Sequence, residues 1–424
     1  MTLSFHACPP PGQWFNDPCG LVRDKGGWTL FVQHRADAPA FRRVGWGRLT
    51  SRNLLDWRWE GVAIPPDPDA SIFSGCVIRT DQDWQAFHTS HADATGLQGQ
   101  VRRRSLDGRT FGQAEPLILP QPDRRDPFVI DRPDGRLMLL AEPPGWTPAP
   151  GARAHLTIWR EDEAGRWDQT GVIGPWAPAG VLWEMPVVVR RGGGDLLLVS
   201  EVDRFDNSSR CRVRVWRGSL SATGFTLAPG AAPSGELLDL GPEYYAAIPG
   251  AGHLVGWLSS WAVARRMPWP GFSGGPISLP RRIAWRDGAV RMAPPRAIER
   301  LFPNRTTGVP AAGLGLAQID GRSARRLSIK GAGAEAGVEL DPATGRIEIE
   351  RSGPDWLAAQ LTHGKACTSI EKRTLRLFID GPVLELFLEP EGRVLSMILP
   401  VGEGLFEITL KGQTDEGFVW RTRA

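Results

Sequence analysis

The chain has 424 residues, of which 41% are hydrophobic and 23% charged, and its formal net charge is +3 at pH 7. That length favours two domains, and the composition is ordinary for a globular protein. The small net charge and the lack of a basic block with interleaved aromatic residues argue against nucleic-acid binding, and no run of about 18 apolar residues could span a membrane.

The N-terminal stretch and the cysteines bear on location and metal binding. MTLSFHACPPPGQWF has neither a charged segment nor a long apolar segment, so it does not resemble a signal peptide. The five cysteines are scattered and form no CxxC pair, which indicates neither a zinc site nor a disulfide framework. We therefore expect a cytoplasmic protein.

Short apolar runs separated by turn residues predict β-strands through the first two thirds of the chain. Examples are GWTLFVQ, GRLMLLAE, DLLLVSE and HLVGWLSS. Five segments, each a polar turn followed by an aromatic residue, recur at intervals of 54, 56, 58 and 60 residues. Their aromatic residues are Trp57, Phe111, Trp167, Phe225 and Trp285. A unit of this length fits a four-stranded blade, so five units predict a five-bladed β-propeller.

The pattern changes after the fifth repeat. MAPPRAIERLF is followed by short alternating strands such as GRIEIERSG, LRLFID and VLELFLE. We therefore predict an all-β chain, with a five-bladed β-propeller at residues 1–290, a linker at 291–306 and a C-terminal β-sandwich at 307–424. Asp380 and Glu385, in the second domain, are assigned to packing or interdomain contact.

One residue lies 37 to 41 positions before each repeated aromatic residue. These residues are Asp17, Ser74, Asp126, Glu184 and Tyr245. Because equivalent positions of a propeller are equivalent in space, we predict that the five side chains converge at one mouth of the central channel. Three of them are carboxylates, whose mutual repulsion is usually tolerated where one group must stay protonated.

The surroundings of the three carboxylates favour different roles. Asp17, next to Asn16 in WFNDPCG, can remain ionised and attack, and Arg125 should help to keep Asp126 ionised. Glu184 has apolar neighbours in LWEMP, which suits a proton donor. One protonated and one ionised carboxyl is the division of labour of glycoside hydrolysis. Taken singly, each motif is also explained by a turn, a local ion pair or a rim residue.

Seven segments occur in the order and spacing of one family. WFNDPCG, LFVQ, GWGRLTSRNLLDW, FSGCVI, RRDP, WEMP and GPEYYAA together resemble glycoside hydrolase family 32, the invertase, inulinase and levanase family of β-fructosidases. LRLFIDGPVLELFL resembles the family's C-terminal β-sandwich. The resemblance implies a retaining hydrolase that releases fructose from small-molecule β-fructofuranosides such as sucrose or short fructo-oligosaccharides. It implies neither a cofactor nor a metal.

The resemblance also implies roles for individual residues. Asp17 matches the nucleophile, Asp126 the residue that stabilises the transition state, and Glu184 the general acid/base. The positions that match the lining of the fructose subsite are Asn16, Gln33, Trp46, Phe73, Ser74, Arg125 and Trp257, with Tyr245 nearby. Retention requires about 5–5.5 Å between the carboxyl groups of Asp17 and Glu184.

Several alternatives stay open at this level. A fructosyltransferase would use the same residues with a sugar in place of water, and an arabinan-type hydrolase would share the five-bladed fold. A glycan-binding propeller without catalysis would not need all three carboxylates. Four arginines near Trp46 could receive a phosphorylated sugar, although a solvated loop is the simpler explanation; they are Arg35, Arg42, Arg43 and Arg48. Departures from the family pattern leave the preferred fructoside open; they are Cys19, Val32, Arg48 and Met185.

Overall fold

The structure is a computed structural model that covers most of the propeller and part of the sandwich. The described residues are 3–37, 43–143, 151–191, 193–203, 211–267, 273–286, 289–295, 298, 300–302, 304–306, 314–320, 326–331, 333–340, 347–353, 359–363, 374–389, 392–399, 407–411 and 418–422. Among these residues, no helix is long and apolar enough to cross a membrane.

The first three blades are four-stranded antiparallel sheets whose strands follow one another along the chain. Blade 1 consists of β1 (Trp14–Asp24), β2 (Gly27–Arg35), β3 (Gly45–Ser51) and β4 (Arg58–Ile64). Blade 2 consists of β5 (Ala70–Arg79), β6 (Trp84–Ala92), β7 (Gln98–Ser105) and β8 (Glu115–Gln121). Blade 3 consists of β9 (Arg125–Arg132), β10 (Gly135–Glu142), β11 (His155–Glu161) and β12 (Trp167–Ile173).

The last two blades repeat this order and add one helix. Blade 4 consists of β13 (Leu182–Arg191), β14 (Gly194–Val202), β15 (Cys211–Leu220) and β16 (Phe225–Leu227), with β17 (Glu236–Leu237) also paired to β15. Blade 5 consists of β18 (Tyr245–Gly250), β19 (His253–Trp257), β20 (Arg281–Arg286) and β21 (Ala289–Ala293). Helix α1 (Trp261–Arg266) lies between β19 and β20.

Two further antiparallel sheets form the C-terminal sandwich. One has the order β22-β32-β23-β28-β29-β30 and the other β27-β26-β25-β24-β31. The strands are β22 (Asn304–Thr306), β23 (Leu314–Asp320), β24 (Arg326–Gly331), β25 (Ala334–Leu340), β26 (Ile347–Ser352), β27 (Ala359–His363), β28 (Thr374–Asp380), β29 (Val383–Glu389), β30 (Arg393–Ile398), β31 (Glu407–Lys411) and β32 (Phe418–Thr422).

The prediction of a five-bladed propeller followed by a sandwich is therefore confirmed. Each of the five repeated aromatic residues lies at the turn from the third to the fourth strand of its blade or at an adjacent strand end. The two domains share a continuous apolar core, because Phe378, Phe387 and Val394 of the sandwich belong to the same buried cluster as Trp14 and Tyr244 of the propeller. The sandwich therefore packs directly on the propeller.

Every innermost strand carries a β-bulge at the same place. Two consecutive residues oppose one residue of the next strand in all five blades, and these pairs are 16–17, 73–74, 126–127, 185–186 and 246–247. Three bulged residues, Asp126, Met185 and Ala246, have φ of 61°, 49° and 51°. Positive φ is uncommon in residues other than glycine and concentrates at functional sites, and bulges change the direction of side chains.

The bulges correct one detail of the predicted repeat. Asp17 and Ser74 are the second residues of their bulges and Asp126 is the first, whereas Glu184 and Tyr245 precede theirs. The five residues are therefore not strictly equivalent in register. Their side chains still meet, because each lies in or beside a bulge at the same end of an innermost strand.

Candidate active site

A cavity of about 760 Å³ opens at the end of the innermost strands where the bulges lie. It is lined by residues of four blades and by α1 with its flanks: Asn16, Asp17, Gln33, Arg43, Val44, Ser71, Phe73, Ser74, His91, Asp93, Arg125, Asp126, Glu184, Trp261 and Arg265. The three carboxylates singled out in the sequence therefore face one enclosed volume. Among the described residues, no group of three or more His, Cys, Asp or Glu side chains is arranged to hold a metal ion.

Asp17 presents one oxygen that is fixed and one that is free. The hydroxyl of Ser74 donates to Oδ2 of Asp17 at 2.6 Å. Within the described residues, Oδ1 of Asp17 is buried and has no hydrogen-bond partner. Burial raises the pKa of Asp17 to about 7, and the charge of Glu184 adds to this shift while Ser74 opposes it. An ionised Asp17 therefore has a poorly solvated oxygen in the cavity, as a nucleophile requires.

Asp126 is held by its backbone as well as by its side chain. Its amide donates to Oγ1 of Thr89 at 3.0 Å, and its Oδ2 accepts a hydrogen bond from the amide of Met185 at 2.9 Å. Burial raises the pKa of Asp126, the charge of Glu184 raises it further, and Arg125 offsets the shift only in part. The charge of Arg125 therefore favours the ionised form of Asp126, as expected, but burial and the charge of Glu184 outweigh it. The guanidinium itself is paired with Glu184.

Glu184 receives the donors that the sequence did not assign to it. Nε of Arg125 donates to its Oε1 at 2.9 Å, and the hydroxyl of Tyr245 donates to its Oε2 at 2.5 Å. Arg125 is only 2% exposed, so this ion pair is shielded from water. Both carboxylate oxygens of Glu184 are therefore oriented before any ligand arrives.

The carboxyl groups of the cavity outnumber its arginines. The cavity is lined by four carboxyl groups and three arginines, which are Asp17, Asp93, Asp126, Glu184, Arg43, Arg125 and Arg265. The guanidinium of Arg125 is paired with Glu184. The pKa of both Asp17 and Asp126 is raised from the ordinary aspartate value, chiefly by burial.

Five of the eight residues expected to bind fructose line the cavity. They are Asn16, Gln33, Phe73, Ser74 and Arg125. The side-chain amide of Asn16 donates to Oε1 of Gln33 and accepts from the indole of Trp14 at 3.1 Å, so both amides are held in fixed orientations. Fixed polar groups beside an aromatic ring are typical of sugar-binding pockets.

The other three residues lie behind the cavity wall. Trp46 is fully buried, and its indole donates to the carbonyl oxygen of Phe73 at 3.0 Å. Tyr245 is 1% exposed and contacts Glu184, while the buried ring of Trp257 packs against those of Tyr245 and Trp261. These side chains support the cavity-lining residues from behind.

The cavity rim contains residues that were not assigned to the site from the sequence. They are Arg43, Val44, Ser71, His91, Asp93, Trp261 and Arg265. The ring of His91 stacks on Phe73 with centroids 4.4 Å apart and planes 5° apart. Trp261 begins α1, whose N-cap Ser260 accepts a hydrogen bond from the amide of Val263 at 3.3 Å. These residues lie in several kinds of element: Ser71 is in β5, His91 in β6, and Trp261 and Arg265 in α1. The repeat of the innermost strands does not mark such positions.

The arginines considered for a phosphorylated sugar separate in space. Arg43 lines the cavity, and its guanidinium donates to the carbonyl oxygens of Asp67 and Pro68. Arg48 lies near Glu60, and Arg35 is paired with Asp37. Arg42 lies outside the described residues.

Comparisons with known proteins identify the family of the chain. The family model described as glycosyl hydrolases family 32 N-terminal domain matches residues 6–294. The chain is similar to a sucrose-6-phosphate hydrolase of Zymomonas mobilis subsp. mobilis, with 27% identity over 332 residues that cover 70% of this chain and 62% of the relative. It is also similar to a raffinose invertase of Escherichia coli, with 28% identity over 330 residues that cover 70% and 65%.

These curated relatives are longer, and the aligned region spans less than two thirds of their length. Among solved structures, the exo-inulinase of Aspergillus awamori superimposes with a TM-score of 0.80 at 20% sequence identity, covering 100% of this chain and 98% of that one. At this identity the superposition supports the fold: a propeller with a C-terminal sandwich.

Proposed function

The chain belongs to glycosyl hydrolase family 32, and from that premise we propose that it is a retaining β-fructofuranosidase acting on sucrose or short fructo-oligosaccharides. One observation carries the proposal. A carboxylate with a free buried oxygen, Asp17, shares a cavity with a second carboxyl, Glu184, that two donors hold in place. This is the pair that a retaining glycosidase needs.

The first step transfers fructose to the enzyme. Glu184, in its protonated form, donates its proton to the glycosidic oxygen while Oδ1 of Asp17 attacks C2 of the fructosyl unit. The bond from C2 to the leaving oxygen breaks, and a fructosyl ester of Asp17 forms. Asp126 accepts hydrogen bonds from ring hydroxyls as positive charge develops on the sugar.

The second step releases fructose. Glu184, now ionised, accepts a proton from a water molecule whose oxygen attacks C2, and Asp17 leaves as a carboxylate. Two displacements at the same carbon retain the configuration, and the same carboxyl acts first as acid and then as base.

The mechanism requires that Glu184 be protonated and Asp17 ionised when the substrate binds. The productive state has the proton on Glu184 and none on Asp17, whose pKa burial raises to about 7. Because only the ionised carboxylate of Asp17 can attack C2, we expect turnover to fall as the pH drops through the pKa of Asp17.

A second candidate substrate is a fructoside whose leaving group carries a phosphate. Arg43 and Arg265 both line the cavity at positions away from the three carboxylates. A relative described as a sucrose-6-phosphate hydrolase adds weight to this candidate. Arg43, however, is already bonded to two carbonyl oxygens and lies 3.9 Å from Asp93, so the unphosphorylated sugar is the first choice.

A product assay tests the proposal and separates its alternatives. The purified chain is incubated with sucrose, sucrose 6-phosphate, 1-kestose, inulin and levan, and the released sugars are resolved by chromatography. We expect free fructose from sucrose or the short oligosaccharide, and none with Asp17→Asn or Glu184→Gln. Longer oligosaccharides in place of free fructose would indicate fructosyl transfer. No product from any fructoside would contradict the proposal.

A further inference from the structure

The three residues Glu243, Tyr244 and Tyr245 connect the sandwich to the cavity. Tyr245 donates its hydroxyl hydrogen to Glu184, the residue proposed as acid and base. Two residues earlier, the side chain of Glu243 points into the sandwich and is 1% exposed. A short, fully buried segment therefore contacts the proposed acid at one end and the second domain at the other.

Glu243 is held by both sheets of the sandwich. Its Oε2 accepts a hydrogen bond from Nη1 of Arg351 on β26 at 2.7 Å and another from the amide of Ile398 on β30 at 2.9 Å. The same nitrogen of Arg351 donates to the carbonyl oxygen of Ile398 at 2.9 Å. Arg351 therefore joins the two sheets and Glu243 at a single point.

The chain leading to Glu243 runs tightly along β30. The amide of Leu240 donates to the carbonyl oxygen of Val394 at 2.8 Å, and Oδ1 of Asp239 accepts from the amide of Ser396 at 2.9 Å. A Cβ atom at Gly241 would lie 1.8 Å from the carbonyl oxygen of Ser396, so only glycine allows this approach. The position of the segment is thus dictated by the sandwich.

The charge of Glu243 depends on the sandwich as well. Burial raises the pKa of Glu243, and Asp239 adds to this shift, while Arg351 and the amide of Ile398 oppose it. Arg351 is 8% exposed. Without Arg351, Glu243 would be a buried carboxyl with its cation removed, a state that drives local rearrangement.

We propose that Arg351 of the sandwich is a positioning residue for the acid/base step: it anchors Glu243, and through the Glu243–Tyr245 segment it holds the Tyr245 hydroxyl against Glu184. The inference rests on the proposed role of Glu184. Arg351 does not touch the cavity, so its effect on turnover passes through the hydroxyl of Tyr245.

The variant Arg351→Met tests this path. The Tyr245 hydroxyl stabilises the ionised carboxyl of Glu184, together with Arg125 and against the charges of Asp17 and Asp126. A looser hydroxyl stabilises the charged carboxylate less, so we expect the basic limb of the kcat/KM profile to move to higher pH. We also expect kcat to fall about tenfold with KM within about twofold, the effect of one hydrogen bond to a charged group. Tyr245→Phe should change both in the same direction.

The double variant separates positioning from a direct effect of charge. If Arg351 acts through Tyr245, adding Arg351→Met to Tyr245→Phe produces no further shift, because coupled residues are not additive. A charge acting through space would add its full effect. Arg351→Lys keeps the charge but places its donor on a more flexible stem, so it should show a smaller shift in the same direction. It also serves if Arg351→Met does not fold.

A matched control removes a different interdomain contact. Asp380 of the sandwich accepts hydrogen bonds from the amides of Ser4, Phe5 and His6 and does not contact the Glu243–Tyr245 segment. Asp380→Asn should lower thermal stability and leave the pH profile in place. If Arg351→Met behaves like Asp380→Asn, or if its effect adds to that of Tyr245→Phe, the inference is overturned. If Glu184→Gln keeps full turnover, the proposed function fails instead.

Discussion

Two buried carboxylate clusters in this molecule differ in how their charge is balanced. At the domain interface, Glu385 accepts from Arg281, His6 and the amide of Leu279, and Asp239 is paired with the same arginine. In the cavity, three carboxylates are arranged around Arg125, which is paired with one of them. The interface cluster is saturated with donors, whereas the cavity cluster is not.

The pKa shifts follow this difference. Glu385 is buried, yet Arg281 and His6 lower its pKa below the ordinary glutamate value. Burial alone would lower the pKa of His6, but the hydrogen bonds and charges of Asp380 and Glu385 raise it to about 9. In the cavity, the pKa values of Asp17 and Asp126 are raised. Carboxylates removed from water thus form a structural ion cluster where charges balance and a candidate reactive site where they do not.

The largest expected effect is the loss of activity in Asp17→Asn. The amide cannot form the fructosyl ester, so we expect turnover of sucrose to fall at least about 10⁴-fold. Removing an unbalanced buried charge should leave the free energy of unfolding unchanged or raise it. Steady-state kinetics and urea unfolding measure the two quantities. Ser74→Ala is the control, because it keeps the carboxylate and should retain part of the activity.

At the domain interface we expect the opposite outcome, a loss of stability with most of the activity retained. Glu385→Gln removes the carboxylate that accepts from both Arg281 and His6 and leaves Arg281 with Asp239 as its remaining carboxylate partner. Breaking this buried ion cluster should lower the free energy of unfolding by about 3–5 kcal/mol. The folded fraction should keep most of its turnover, because the residue lies outside the cavity. Urea unfolding monitored by tryptophan fluorescence measures the loss. A variant with unchanged stability would show that the cluster is not balanced as described.

The dependence of stability on pH distinguishes the same two regions. His6 has a pKa of about 9 in the folded chain against an ordinary histidine value of 6.5, so its contribution to stability is complete below pH 6.5 and is lost as the pH rises through 9. We expect a loss on the order of 3 kcal/mol across that window, which His6→Gln removes. Thermal unfolding at pH 6 and pH 9.5 measures it.

Asp17 supplies a second window at lower pH, in which stability is likewise lost as the pH rises. Its pKa is raised from 3.8 to about 7, so the stability that its protonated form contributes is present below pH 3.8 and is lost as the pH rises through 7. Asp17→Asn should flatten the unfolding profile between these values and leave the window of His6 unchanged. If Asp17→Asn and His6→Gln changed the stability profile over the same pH range, the two clusters would not be independent.

The smallest effect is expected for an exposed ion pair of the sandwich. Arg326 lies 3.0 Å from Glu350 and 3.3 Å from Glu339, whose side chains are 48% and 52% exposed. Arg326→Met should change the free energy of unfolding by about 1 kcal/mol or less, because water and salt screen such pairs. Urea unfolding in low and high salt provides the measurement. If Arg326→Met lowered the free energy of unfolding as much as Glu385→Gln does, burial would not explain why the interface cluster matters more for stability.

The sequence was sufficient to predict the fold and to locate the carboxylates. Turn spacing identified the five blades, and the same spacing identified Asp17, Asp126 and Glu184, because a propeller brings the ends of its innermost strands together. Asp380 and Glu385 were correctly assigned to interdomain contact, since both bond to residues of the propeller domain. The periodicity of the sequence is thus sufficient to place residues at the ends of the innermost strands.

The partners of these residues could not be predicted. Bulges shift the register by one or two residues, and they depend on strand pairing rather than on composition. Arg125 was therefore assigned to its neighbour Asp126, whereas it pairs with Glu184, 59 residues away. The rim residues His91 and Trp261 come from loops or segments outside the innermost strands, where no repeat marks them.

The most direct test of the proposed chemistry is to trap the covalent intermediate. Glu184→Gln is incubated with a fructoside that has a good leaving group, so that the ester forms without an acid and its hydrolysis lacks a base. Intact mass spectrometry followed by peptide mapping should find one fructosyl group on the peptide that contains Asp17. A fructosyl group on another residue, or release of fructose with inverted configuration and no adduct, would contradict Asp17 as the nucleophile.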